Sequence, residues 1–203
     1  MNERLLIPNV IPPVIEYIAS TTFYNTLSTT SIVLSKPSGT VSGDRLVAMF
    51  AVNRDNKPMV TVPGGFSLHK ADYTIESVAI YSKVAGSSEP SSYTFTVTNY
   101  AYWAASMTTL RNVNSNGGTG VKITSAANRY IATTAPFVAA GAVMMASISG
   151  GAFGSFDSGP SPALYMVHNQ GLAYHIGTGG IKSLSFHCTQ QTTGAAIYAI
   201  FKP

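Results

Sequence analysis

The chain has 203 residues, of which 45% are apolar and only 10% charged, and its formal net charge is +4. The apolar share excludes wholesale disorder, while the charge lies far below the roughly 25% usual for soluble domains. The basic residues stand singly, from Arg45 and Arg54 to Lys122 and Arg129; a phosphate-tracking surface concentrates them, so no nucleic-acid partner is expected.

Residues 1–16 read as an extended N-terminal arm. Ile7-Pro8-Asn9-Val10-Ile11-Pro12-Pro13-Val14-Ile15 is apolar but crowded with prolines, which forbid regular strand pairing. Leu5, Ile7, Val10 and Ile11 are its candidate contact residues, buried either on their own domain or on a neighbouring subunit. The first residues lack the apolar core of a signal peptide, and no stretch reaches the roughly 18 apolar residues of a membrane span. A soluble product made in the cytosol, without membrane insertion, is expected.

Residues 17–203 read as a single β domain. Apolar residues seldom recur at three-to-four spacing, and strong helix formers are scarce. Arg45 to Asn53 and Ser77 to Ala85 are long strands rich in β-branched and aromatic residues. Ser92 to Thr98 alternates strictly, with Tyr93, Phe95 and Val97 on one face, and Tyr102 to Val113 forms a further strand. Turn chemistry separates such runs at Lys36-Pro37-Ser38-Gly39, Asn53 to Pro58, Pro63-Gly64-Gly65 and Ser115-Asn116-Gly117-Gly118. Many short strands divided in this way indicate a sandwich or barrel.

The second half echoes the first in the same order. Gly43 to Ala51 is answered by Gly141 to Ile148, and Val78 to Tyr81 by Leu172 to His175. Tyr93 to Thr98 is answered by Leu184 to Thr189, and Ala104 to Arg111 by Ala195 to Lys202. Halves at about 43–113 and 139–203 would each leave an apolar face open, and packing those faces together buries one core. The expected fold is all-β: an antiparallel, jelly-roll-like β-sandwich built from two similar halves, preceded by the arm.

Four segments of the first half are distinctive as a set: Val41 to Ala48 with its Gly43-Asp44-Arg45-Leu46, Val62 to Phe66, Ala79 to Ala85 with its Lys83-Val84-Ala85, and Glu89 to Thr96. Together they resemble a β module recurrent in tailed-bacteriophage virion proteins of the tail-fibre, minor-tail or capsid-decoration type. The resemblance covers about 43–113, and the echo extends it towards 203. Phe66 stands where the module usually carries Trp, a change of packing residue. No long trimeric stalk or coiled coil accompanies it, which favours a compact piece of a particle over a complete fibre.

The resemblance implies a structural component of the virion, either a capsid decoration or a tail or baseplate part. Such a protein is made in the bacterial host cytoplasm, binds other virion proteins and assembles as a homo-oligomer. The alternative it implies is a receptor- or carbohydrate-binding module of a tail tip or tail fibre, with a host-surface glycan as partner.

The remaining residues nominate no catalytic centre, no cofactor and no metal site, and a non-enzymatic role is expected. His69, His168, His175 and His187 lack the short ligand spacings of a metal site. Cys188 is the only cysteine, so neither an intramolecular disulfide nor a cysteine cage can form, and it reads as a small buried hydrophobe. Asp72 and Glu76 flank a turn and read as solvated, not as the facing carboxylates of a glycosidase. Asp44 follows Gly43 at a strand entry, where an Asx-type bond to the backbone is expected. No Gly-x-Ser-x-Gly elbow occurs, and the glycine clusters lie between strands, away from any helix N-terminus. Tyr100, Tyr102 and Trp103 form the binding candidate, because aromatic rings stack on sugars and anchor interfaces. Along a strand Tyr100 and Tyr102 share one face and Trp103 takes the other, so part of the cluster belongs to the core.

Overall fold

The computed structural model describes residues 13–53, 59–74, 76–135, 141–149, 153–157, 163–167, 170–177 and 182–203, with side chains described over 13–53, 59–74, 76–120, 141–148, 170–177 and 194–203. The arm residues Leu5, Ile7, Val10 and Ile11 lie outside these. The fold is all-β. The first six strands are β1 (Glu16–Tyr24), β2 (Thr29–Ser35), β3 (Arg45–Asn53), β4 (Ser67–Asp72), β5 (Ser77–Val84) and β6 (Ser92–Arg111). The next six are β7 (Ser115–Ala135), β8 (Gly141–Ser149), β9 (Phe153–Asp157), β10 (Ala163–Val167), β11 (Gln170–Gly177) and β12 (Lys182–Lys202).

Each half of the chain builds its own six-stranded antiparallel sheet. The first runs β1-β6-β3-β5-β4 with β2 also on β6, and the second runs β7-β12-β8-β11-β10 with β9 also on β12. The orders coincide when β3, β4, β5 and β6 are matched to β8, β10, β11 and β12, and β1 with β2 to the long β7. The segments that echo one another in sequence fall on these matched strands. The chain as a whole is therefore not one jelly roll threaded between two sheets, since it completes one sheet before starting the other.

Both long strands also break register at the same place. From Thr96 to Ala101, a five-residue step of β6 answers the two-residue step from Ser31 to Thr29 on β2. From His187 to Thr192, a five-residue step of β12 answers the two-residue step from Tyr130 to Asn128 on β7. This correspondence matches Ala104 to Ala195, as the sequence echo does. In β5 and β11 the echo is out by two. Ile80 pairs Met49, which pairs Ser106; Leu172 pairs Ala146, which pairs Ile197; so Ile80, not Val78, corresponds to Leu172. A slip of two leaves every side chain on its own face, and alternation cannot detect it.

The sheets pack through Val47, Met49, Ile80 and Leu110 on one side and Met144, Leu172, Ile197 and Phe201 on the other. Ala51, Ala104, Ala142, Ala146, Ala195 and Ala199 are in the same cluster, and such short side chains let the sheets approach closely. Ile15, at the end of the expected arm, is buried there too. The packing is two-fold in pattern: β3 lies on β8; β5 lies on β8 as β11 lies on β3; β5 lies on β12 as β11 lies on β6; and β4 lies on β12 and β7 as β10 lies on β6 and β1. That is the pattern of an isologous interface, here within one chain.

The expectation of one core is corrected to more than one. The far face of the first sheet is buried in a second cluster, in which Leu46, Phe50 and Met107 meet Leu34, Tyr93, Phe95 and Trp103. Two expected strands, Ser92–Thr98 and Tyr102–Val113, are one strand bent at its register break. The bend lets the N-terminal half of β6, with β2, fold across the back of its own sheet. The far face of the second sheet is buried as well, at Val143, Met145, Ala173 and Ala196.

The expected turn at Ser115 to Gly118 lies instead within β7. There a Cβ on Gly117 would meet Ile200 and one on Gly120 would meet the Tyr198 ring. These glycines serve close approach, not chain reversal.

Candidate functional site

The segments that carry the resemblance are packing and locking devices. Asp44 is 2% exposed. Its Oδ2 accepts the Val41 N–H at 2.9 Å, the expected bond at the strand entry. Arg111 clasps the same carboxylate through Nε at 2.9 Å and Nη2 at 3.0 Å, and also donates to the Gly39 carbonyl at 3.1 Å. This fork-to-carboxylate geometry ties the Gly-Asp turn to the end of β6. A cavity of about 330 Å³ beside it is lined by Val41, Gly43, Asp44, Arg111, Asn112 and Asn114, and its two charges are matched to each other.

Glu89 is the second lock. It accepts the Lys83 ammonium at 2.8 Å, the Gly86 N–H at 2.7 Å and the Tyr93 hydroxyl. Lys83 Nζ in turn lies over the rings of Phe66 and Tyr93, 5.8 and 5.3 Å from their centroids. Burial pushes the Glu89 carboxyl up, but the Gly86 N–H, Lys83 and Tyr93 outweigh it and bring the pKa down to about 2. Burial and the bond to Glu89 push the Tyr93 phenol up. Phe66 packs edge-on against Tyr93 and Phe95.

Of the three aromatic candidates, the structure separates one from two. Trp103 is fully buried, packs edge-on against Phe50 at 6.1 Å and donates its indole N–H to the Thr29 carbonyl. It is a core residue and not part of a contact surface. Tyr100 and Tyr102 are 61% and 47% exposed and sit at the bend of β6.

The backbone at that bend is fixed from both sides. Asn25 accepts the Trp103 N–H at 2.6 Å and donates to the Ala101 carbonyl at 3.3 Å. Gln170, 2% exposed and supplied by the second half, donates to the carbonyls of Ala51 at 2.8 Å and Tyr102 at 3.1 Å. Asn53 pairs with Tyr102 and Thr61 bridges Thr96, and Met59, two residues before that bridge, is exposed. On the other edge, the loop held by Asn25 carries Leu27, 81% exposed. Sequence reasoning missed Asn25 and Gln170, which lie in a loop and on a distant strand and meet the β6 backbone only in the folded chain.

The second half supplies an internal control. The matched register places Gln191 and Thr193 where the first half has Tyr100 and Tyr102. The same register break thus occurs in a strand that carries no rings at these positions.

The other polar candidates have structural surroundings. Asp72, expected to be solvated, is buried and accepts the Thr74 N–H at 3.0 Å and hydroxyl at 2.5 Å, an Asx turn; Glu76 is half-buried. His69 bonds the Ser82 hydroxyl at 2.7 Å and packs edge-on against Phe201 of the second sheet. Its pKa is lowered by burial and by the neighbouring Arg45. His175 is buried, and His168 and the side chains of His187 and Cys188 lie outside the described ones. Among the described residues no group of three His, Cys, Asp or Glu is placed to hold a metal ion, and no helix is long and apolar enough to cross a membrane. No family model matches the sequence, and comparisons with curated proteins and with solved structures return no match.

Proposed function

We propose that the chain is a structural component of a tailed-bacteriophage particle, a capsid decoration or a tail or baseplate part that works through protein–protein contacts. The observation that carries the contact role is the pair Tyr100 and Tyr102, exposed on a backbone locked by Asn25 and Gln170 and replaced by Gln191 and Thr193 in the matching bend. Rings carried on a fixed backbone lose less entropy on docking, and tyrosine is enriched among the residues that dominate interfaces. The particle setting rests on the resemblance of residues 43–113. Partners on this reading are other virion proteins and further copies of the chain. A second reading, a host-surface glycan as ligand, draws on the same two rings, since tyrosine faces stack on sugars.

The test is to prepare particles with the wild-type chain and with Tyr100→Gln/Tyr102→Thr, and to quantify the chain in them by mass spectrometry. The wild type is expected to co-purify and the variant to fall about tenfold or more, the size of a lost interface anchor. A chain found only in the soluble fraction contradicts the proposal. Retention of the isolated wild-type protein on a glycan array, lost in the variant, selects the second reading.

A further inference from the structure

We propose that the chain exchanges halves with a second copy of itself, the first half of each copy docking on the second half of the other. This goes beyond the role proposed above and does not depend on the particle setting.

Among the described residues every strand pairing stays within a half, so the halves part without breaking a β ladder. The first half keeps the core around Phe50, Phe95 and Trp103 when its other face is uncovered. What joins the halves is side-chain packing: the apolar cluster, the stacked rings of Tyr17 and Tyr174 at 4.7 Å, the His69–Phe201 contact, and the two bonds from Gln170. All of these form equally well between copies.

The connection is short and set in one geometry. Only residues 112–114 separate β6 from β7. Asn112 stands at φ 62° with its amide on the Val14 carbonyl, and Asn114 N–H bonds the Lys202 carbonyl. A short constrained hinge between two units whose strands pair only within themselves is the situation in which exchange between protomers is cheapest. Docking within a chain competes with docking between chains once protein concentration approaches the effective concentration set by the hinge, about millimolar for short links.

The experiment uses the full chain in three forms: wild type, a form with six Gly and Ser residues inserted after Asn114, and a form lacking Asn112 and Asn114. Mass in solution is read by light scattering up to about millimolar concentration. The wild type is expected to show a dimer, and the lengthened chain about tenfold less of it, because a relaxed link favours docking within the chain. The shortened chain should dimerise at lower concentration. In a second readout, copies carrying Tyr17→Cys and copies carrying Tyr174→Cys are mixed and treated with a short bifunctional thiol reagent, with the wild type as control for Cys188. Exchange predicts a cross-link between copies above that control. A wild type monomeric at every concentration, a dimer indifferent to hinge length, or no cross-link above control in the dimer overturns the proposal. Should the shortened chain not fold, the wild-type and lengthened chains alone decide it.

Discussion

Glu89 and Asp44 show how two acids in a weakly charged chain are spent on locking loops to strands. Glu89→Gln leaves the Lys83 ammonium without its counter-charge over two rings and is expected to lower stability by roughly 2–4 kcal/mol, read as a shift of the urea midpoint. The same lock sets a pH window. The folded carboxyl has a pKa of about 2 against an ordinary 4.5, so its contribution is complete above the ordinary value and is lost as pH falls from 4.5 towards 2. His69 adds an earlier step. Unfolded, it takes up a proton near pH 6.5, whereas folded it resists because it is buried beside Arg45. Stability is therefore full above about 6.5 and declines as pH falls below it, and His69→Gln should flatten that part of the profile. The motif residues around Asp44 and Glu89 were visible in the sequence. Lys83 and Tyr93 stand among those motif residues, whereas Arg111 was visible only as a member of a strand, because an ion pair across 67 positions leaves no local pattern.

At the scale of the element, the bend of β6 organises most of what is distinctive. Trp103→Ala removes a fully buried ring and is expected to destabilise by about 3–5 kcal/mol, while Asn25→Ala, which frees the Trp103 N–H and the Ala101 carbonyl, is expected to cost about 1–3 kcal/mol. Both are read by denaturant unfolding. Alternation located β3, β5 and both halves of β6, since period two is all a half-buried strand needs. It could not show that Ser92–Thr98 and Tyr102–Val113 are one strand, because the exposed run Thr98, Asn99 and Tyr100 interrupts the alternation without ending the strand. β1 and β2 were not singled out either. β1 is mostly half-buried, without a clean alternation. In β7 the glycines that signal a turn are required by Ile200 and Tyr198 on the neighbouring strand, a demand made across the sheet and not along the chain.

For the whole molecule, the repeat was readable as an order of segments, and the matched strand orders and the shared bulge give it a structural form. What the repeat could not convey is that the first half folds back on itself, so that the interface between halves lies apart from the core within the first. Gln170 links the scales. It lies in the second half, yet it holds the carbonyl of Tyr102 in the first, so Gln170→Ala should weaken the docking of the halves and loosen the tyrosine platform together.

The central claim is that Tyr100 and Tyr102 serve a partner and not the fold. The most direct measurement is the urea unfolding of Tyr100→Gln/Tyr102→Thr, which gives the first bend the residues of the second. A stability within about 0.5–1 kcal/mol of wild type is expected, as for substitutions at exposed positions. A loss of more than about 2 kcal/mol would place the rings in the structure of the bend itself and contradict the claim.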